Sequence, residues 1–230
     1  ARGWIWVMDL QTREARRVTK TSAVDARPAW SPDGKQIAFV RDNSRDTSIV
    51  LLDLASGRER VLVDSPAIDL DPCFSPDGKT IYYSSAESGD LDLWLIEIAT
   101  GEKKRLTTDR GQEMMPQILE GNTSIFYLAK VSGSSDTIQI LDLRDNSKKI
   151  VREEGIASQM RPALRRDIYA VNIPFQDRWQ LWLVDLRGQP PVQIALNARY
   201  PQMPTWSADG NFVYYAEPDK DERFQLFRIK

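Results

Sequence analysis

The sequence predicts an all-β fold, a β-propeller of four-stranded antiparallel blades, and three observations carry that prediction. A turn string recurs along the chain, an apolar–acidic string recurs in phase with it, and the runs between them have the period of strands. The turn string is Arg27-Pro28-Ala29-Trp30-Ser31-Pro32-Asp33-Gly34-Lys35, and it returns as Asp71-Pro72-Cys73-Phe74-Ser75-Pro76-Asp77-Gly78-Lys79. A third, altered copy is Met203-Pro204-Thr205-Trp206-Ser207-Ala208-Asp209-Gly210-Asn211, and worn copies start at Met115-Pro116 and Arg161-Pro162. Prolines 28, 72, 116, 162 and 204 are therefore 44, 44, 46 and 42 residues apart. The second string reads Trp6-Val7-Met8-Asp9-Leu10, Val50-Leu51-Leu52-Asp53-Leu54, Trp94-Leu95-Ile96-Glu97-Ile98, Gln139-Ile140-Leu141-Asp142-Leu143 and Trp182-Leu183-Val184-Asp185-Leu186. Its acids keep spacings of 44, 44, 45 and 43.

Each repeat resolves into four elements. The first strand carries the proline. The Ser-Pro-Asp-Gly tetrad is a turn, because proline presets φ at the second position and glycine accepts the left-handed one. A second strand follows, such as Ile37-Ala38-Phe39-Val40 or Ile81-Tyr82-Tyr83-Ser84, then a polar loop and the acidic-anchor strand. A tight turn (Ala55-Ser56-Gly57, Ala99-Thr100-Gly101) leads to a fourth strand such as Arg60-Val61-Leu62-Val63. The anchor acid is expected to accept hydrogen bonds from its own turn. One such sheet cannot cover both its faces; ringing several around an axis does, with Trp30, Phe74 and Trp206 expected to fill the gaps between blades. No window shows the spacing of an amphipathic helix.

The chain opens on a third strand (residues 4–10) and closes on another, Phe224–Ile229, which predicts 21 strands. A six-bladed ring with incomplete terminal blades is favoured over a five-bladed ring whose last blade is completed by the amino-terminal fourth strand. Residues 1–230 read as one propeller domain and as a segment of a longer polypeptide.

The Pro-x-Trp-Ser-Pro-Asp-Gly-Lys string, followed by Ile-Ala-Phe and a Leu-Asp-Leu strand, resembles the TolB-like (WD40-like) family of β-propeller repeats along essentially the whole chain. Spacing holds but the turn has changed at Leu119-Glu120-Gly121-Asn122, and about three turn residues are missing at Leu164-Arg165-Arg166-Asp167. The resemblance implies a ring whose proline-bearing strands line a central channel, with each fourth-to-first connection at one mouth. It also implies a periplasmic or otherwise extracytoplasmic binding scaffold, TolB-type propellers docking peptides and proteins at that mouth. Similar repeats serve as accessory or gating domains of prolyl-oligopeptidase-type serine peptidases, beside amidohydrolases, and in sensory domains of membrane-bound regulators.

Composition excludes several chemistries. With 31 basic and 33 acidic side chains, the net charge of −2 gives no electrostatic reason to expect nucleic acid or an anionic membrane as partner. No apolar run approaches the ~20 residues of a spanning helix, and Ala1-Arg2-Gly3-Trp4 lacks the apolar stretch of a secretory signal. The absence of histidine removes Ser-His-Asp and Cys-His triads, and the single Cys73 rules out an intrachain disulfide and argues against a thiolate metal cage. Cys73 stands where sister repeats carry Ala29, Ala163 and Thr205, and is expected to be a buried, inert thiol. Acid pairs Asp69/Asp71 and Asp90/Asp92 read as structural or solvated, since sister repeats carry other residues there and neither has the spacing of a calcium loop. Ser31, Ser75 and Ser207 read as turn residues. No catalytic group, cofactor or metal is expected in this segment.

The segments before each proline are more informative. One place before it stand Arg27, Asp71, Met115, Arg161 and Met203; three places before it stand Asp25, Asp69, Glu113, Gln159 and Pro201. With Tyr200 and Gln202, these residues are expected in short connections ringing one mouth, where thioethers adapt to a partner and arginine and tyrosine anchor it. Methionines tucked between blades and solvated charges are the competing reading. The apolar stretch Ile173-Pro174-Phe175-Gln176-Asp177-Arg178-Trp179 is expected as a loop, packed under a neighbour or touching a partner on the opposite rim. Clustered bases (Arg13, Arg16, Arg17, Lys20; Lys103, Lys104, Arg105) are expected to protect outer strand edges. The expected function is a non-catalytic scaffold binding a protein or peptide. The alternatives are an accessory or substrate-gating propeller of a larger hydrolase (serine peptidase or amidohydrolase type), and a small-molecule or sugar sensor.

Overall fold

In the computed structural model, residues 3–119, 121–131, 133, 136–154, 158–163, 168–187, 189–207 and 209–230 are described. They form 21 β-strands, antiparallel throughout their described pairings, and no helix. The chain divides into two compact units, the first comprising Ala1–Ile118 and Tyr127–Ser132 and the second Leu119–Phe126 and Gly133–Lys230.

The first unit opens with a two-stranded ribbon, β1 (Trp6–Met8) and β2 (Ala15–Arg17). Two four-stranded sheets follow, each ordered as in sequence: β3 (Val24–Trp30), β4 (Gln36–Asp42), β5 (Thr47–Asp53), β6 (Glu59–Asp64), then β7 (Asp69–Phe74), β8 (Thr80–Ser85), β9 (Asp92–Glu97), β10 (Lys103–Arg105). The third sheet, β11 (Gln112–Ile118), β12 (Ser124–Lys130), β13 (Asp136–Asp142) and β14 (Lys148–Glu154), has strands in both units. The second unit adds β15 (Ser158–Pro162), β16 (Ile168–Phe175), β17 (Arg178–Asp185) and β18 (Val192–Ile194), and a three-stranded sheet, β19 (Gln202–Trp206), β20 (Val213–Pro218) and β21 (Phe224–Ile229). These are five blades, which corrects the expectation of six. The strand total is as expected, but β1 and β2 pair only with each other, two strands short of a further blade.

Alternation places one side of each strand against a neighbouring sheet. In the first unit Ile37, Phe39, Val50 and Leu52 on one face of the β3–β6 sheet meet Ile5 and Val7 of the ribbon region. On the opposite face, Ala38, Ile49, Leu51 and Val63 meet Phe74, Ile81, Tyr83 and Ile96 of the next sheet. In the second unit Ala170 and Leu181 pack with Val213 and Tyr215. The large residue at the third motif position follows its cover. Phe74 is buried, Trp206 is half-buried with its Nε1 donating to the Arg161 carbonyl at 2.9 Å, and Trp30 is 51% exposed. For Trp30 the gap-filling expectation fails, because the sheet on its side is only a two-stranded ribbon.

The turn chemistry holds in three copies. Ser31, Ser75 and Ser207 each donate a hydroxyl hydrogen bond to the aspartate two residues on and accept one from the backbone N–H five residues on. Gly34 and Gly78 take left-handed φ of 69° and 70°. Asp33, Asp77 and Asp209 are all held below the usual carboxylate range, first by that serine hydroxyl, Asp209 to about 2. Four anchor acids, Asp9, Asp53, Asp142 and Asp185, accept backbone N–H groups of their own turns, whereas Glu97 reaches instead to Thr80 Oγ1 at 3.0 Å. The worn turn at residues 164–167 lies outside the described residues, as do Glu120 and Ala208. The apolar stretch expected as a loop is a hairpin: Pro174 pairs with Trp179 and Phe175 with Arg178, leaving Gln176 and Asp177 as the turn. Gln176 takes the left-handed conformation (φ 55°), which closes it in two residues. Cys73 is half-buried rather than buried, its thiol directed at the Phe74 carbonyl at 3.6 Å.

Candidate functional site

Most of the residues preceding the prolines lie inside the first strands and not in connections, which corrects the sequence reading; Tyr200 and Pro201 alone of those named stand in the connection, just before β19. Proline has no N–H to give the ladder, so a strand that keeps it must skip a rung. The pairing of β3 with β4 jumps between Ala26 and Ala29, that of β7 with β8 between Leu70 and Cys73, and that of β19 with β20 between Gln202 and Thr205. The extra residue is absorbed by a left-handed backbone, at φ 52° in Arg27, 54° in Asp71 and 53° in Met203, and Met115 takes the same conformation at 57°. In β15 the jump comes earlier, between Ser158 and Met160, and Arg161 is absent from the left-handed set.

In the first unit the bulge brings Arg27 and Asp71 together. Arg27 Nη1 donates to Asp71 Oδ1, with the arginine side chain 45% exposed and the aspartate 11%. Met115 is half-buried. Behind this row the acids three places before each proline are buried: Asp25, Asp69 and Glu113 are 2, 0 and 3% exposed. Asp25 takes a bidentate contact from Arg41 (Nε to Oδ1 2.8 Å, Nη2 to Oδ2 3.2 Å) and a third from Thr21 Oγ1. Arg41 also bridges to Glu59; burial draws its pKa down, and the two acids more than reverse that. Asp69 accepts from Ser65 Oγ at 2.7 Å, and its backbone N–H donates to Thr47 Oγ1. Burial pushes the Asp69 carboxyl above its ordinary value, against the opposing pull of the Ser85 and Ser65 hydroxyls and of Lys103. Glu113 accepts from Thr107 Oγ1 at 3.1 Å.

In the second unit Met203 is 58% exposed, whereas Arg161, Tyr200 and Gln202 are half-buried. Arg161 Nη1 donates to the Met160 carbonyl, and the Arg199 guanidinium lies 5.3 Å from the Tyr200 ring centroid. The two other methionines near the prolines divide: Met160 is fully buried and Met114 half-buried. The polar groups that fasten the buried acids were missed from sequence, although Thr21 before Asp25 and Ser65 before Asp69 repeat one four-residue offset. Among the described residues no cluster of three or more His, Cys, Asp or Glu has the geometry of a metal site.

Five sheets of this topology, each opened by a proline-bearing edge strand, define a β-propeller repeat protein. The TolB beta propeller domain model matches residues 1–165, and the chain belongs to that family. Among solved structures, TolB from Acinetobacter baumannii superposes with a TM-score of 0.83 at 21% identity, over 98% of this chain and 56% of that one. The chain thus spans little more than half the length of that protein. A putative TolB from Agrobacterium tumefaciens gives 0.61 at 18% identity, over 100% and 99% of the two chains. The β-propeller domain of the Trilobed protease from Pyrococcus furiosus gives 0.60 at 18% identity, over 90% and 69%. No curated protein sequence matches the chain.

Proposed function

We propose that the chain is a non-catalytic propeller scaffold that binds a peptide or protein through its first strands and the residues that lead into them, in an extracytoplasmic compartment as its TolB relatives suggest. Arg27, Asp71 and Met115 would make contact in the first unit, and Arg161, Tyr200, Gln202 and Met203 in the second, with Asp25, Asp69 and Glu113 holding the strands from behind. The observation that carries this reading is the repeated left-handed residue ahead of the proline. It presents an unlike side chain from a like, rigid backbone, so little conformational entropy is lost when a partner is met.

The test is a screen of extended peptides for binding, followed by titration of the best binder against a variant with Arg27→Ala, Arg161→Ala and Met203→Ala. Affinity is expected to fall at least about tenfold, equivalent to ~1.4 kcal/mol, with the thermal midpoint nearly unchanged because an ion pair as exposed as Arg27–Asp71 stabilises by at most about 1 kcal/mol. Undiminished affinity overturns the assignment. The likeness to a protease's propeller domain supports a second reading, an accessory domain of a larger hydrolase. Peptide hydrolysis by the full-length gene product, and none by residues 1–230, would favour it.

A further inference from the structure

One face of the second blade carries four buried polar atoms without a hydrogen-bond partner: Asp69 Oδ1, Tyr83 Oη, Asp92 Oδ1 and Trp94 Nε1. Strand register puts their residues on one face of the sheet. Asp69 stands opposite Ser85 and Ser85 opposite Asp92, while Tyr83, two residues from Ser85 on the same side of β8, stands opposite Trp94. Asp69, Tyr83 and Asp92 are fully buried, and the Tyr83 phenol feels the Asp69 charge. The neighbouring blades meet the same need differently. In the first, Arg41 occupies the place of Ser85 and pairs with Asp25. In the third, the residue equivalent to Asp69 is Glu113, whose side chain is one methylene longer, and neither Glu113 nor Tyr127 is left without a partner. Only in the second blade do a short acid and a small serine coincide.

We propose that this face of the second blade is a buried water-binding site, with one ordered water donating to Asp69 Oδ1 and Asp92 Oδ1 and accepting from Tyr83 Oη–H and Trp94 Nε1–H. Two acceptors and two donors match the four hydrogen bonds of a single water. A bound cation would use the carboxylates but leave the indole N–H unmet. Such a water would tie β7 to β8 and β9 two residues from Asp71, and so help fix the bulge.

The test is a high-resolution crystal structure of the chain, grown from sodium-containing buffer, together with that of Tyr83→Phe, or Trp94→Phe should the first not fold. A density peak at about 2.7–3.0 Å from all four atoms, weakened or lost in the variant, is the expected result. A peak at ~2.4 Å from the carboxylates alone would be a metal ion and would overturn the proposal. So would protein atoms closing the site, or a peak unchanged in the variant.

Discussion

At the scale of single residues, Asp69 and Asp209 show how one side-chain type is driven in opposite directions. Asp209 is solvated and collects donors from Ser207 and Asn211, which favour its charge. Asp69 is buried, and desolvation disfavours its charge. A carboxyl whose folded pKa is raised binds its proton more tightly in the native state. Its stabilising contribution is therefore complete below the unfolded value near 3.8 and is lost as pH rises through the folded one. The groups around it are Ser65, Ser85, Lys103 and Glu87. Asp69→Asn should gain stability relative to the parent as pH is raised from 4 to 7; thermal melts of both proteins across that range check the sign, and a constant offset would contradict it. Gly111 gives a second prediction. A β-carbon there would lie 2.3 Å from the Lys130 carbonyl oxygen, and its φ is +120°. Gly111→Ala should cost more than the ~1–3 kcal/mol of backbone strain alone, measurable by urea denaturation.

At the scale of elements, what covers a strand decides what its residues are worth. Phe74 and Trp30 hold the same place in their repeats, but Phe74 lies 6% exposed against the preceding blade and Trp30 half in solvent. Phe74→Ala is expected to cost about 3–5 kcal/mol, Trp30→Ala only a small fraction of that, both read from chemical denaturation. Comparable losses would mean that Trp30 is covered in solution. The outer strands behave as their sequences foretell. β2 and β10, at sheet edges, carry Arg16, Arg17, Lys103, Lys104 and Arg105. Two of these bases are also ion-paired: Arg105 with buried Asp92 at 2.7 Å, Lys103 with Glu87 at 2.5 Å.

At the scale of the whole molecule, the repeat was legible because two motifs kept one period, and turn and strand chemistry follow from local sequence. The strand total, the Ser-Pro-Asp-Gly hairpins and the anchor-acid turns were all readable that way. The grouping of strands into blades was not, because whether β1 and β2 belong to a blade depends on pairing between distant segments. The geometry of the candidate site was not legible. A left-handed residue ahead of a strand proline has the same letters as a loop, and the burial of Asp25, Asp69 and Glu113 depends on hydroxyls and on Arg41, brought to them by the fold.

The left-handed backbone at Arg27, Asp71, Met115 and Met203 also sets an alphabet for change. Branching at the β-carbon is penalised in that conformation, and none of the four is valine, isoleucine or threonine. Charge, length and polarity can be exchanged there among linear side chains while the main chain keeps its path. A lineage, or an engineer, can thus change the side chains at these positions and leave the framework that displays them intact.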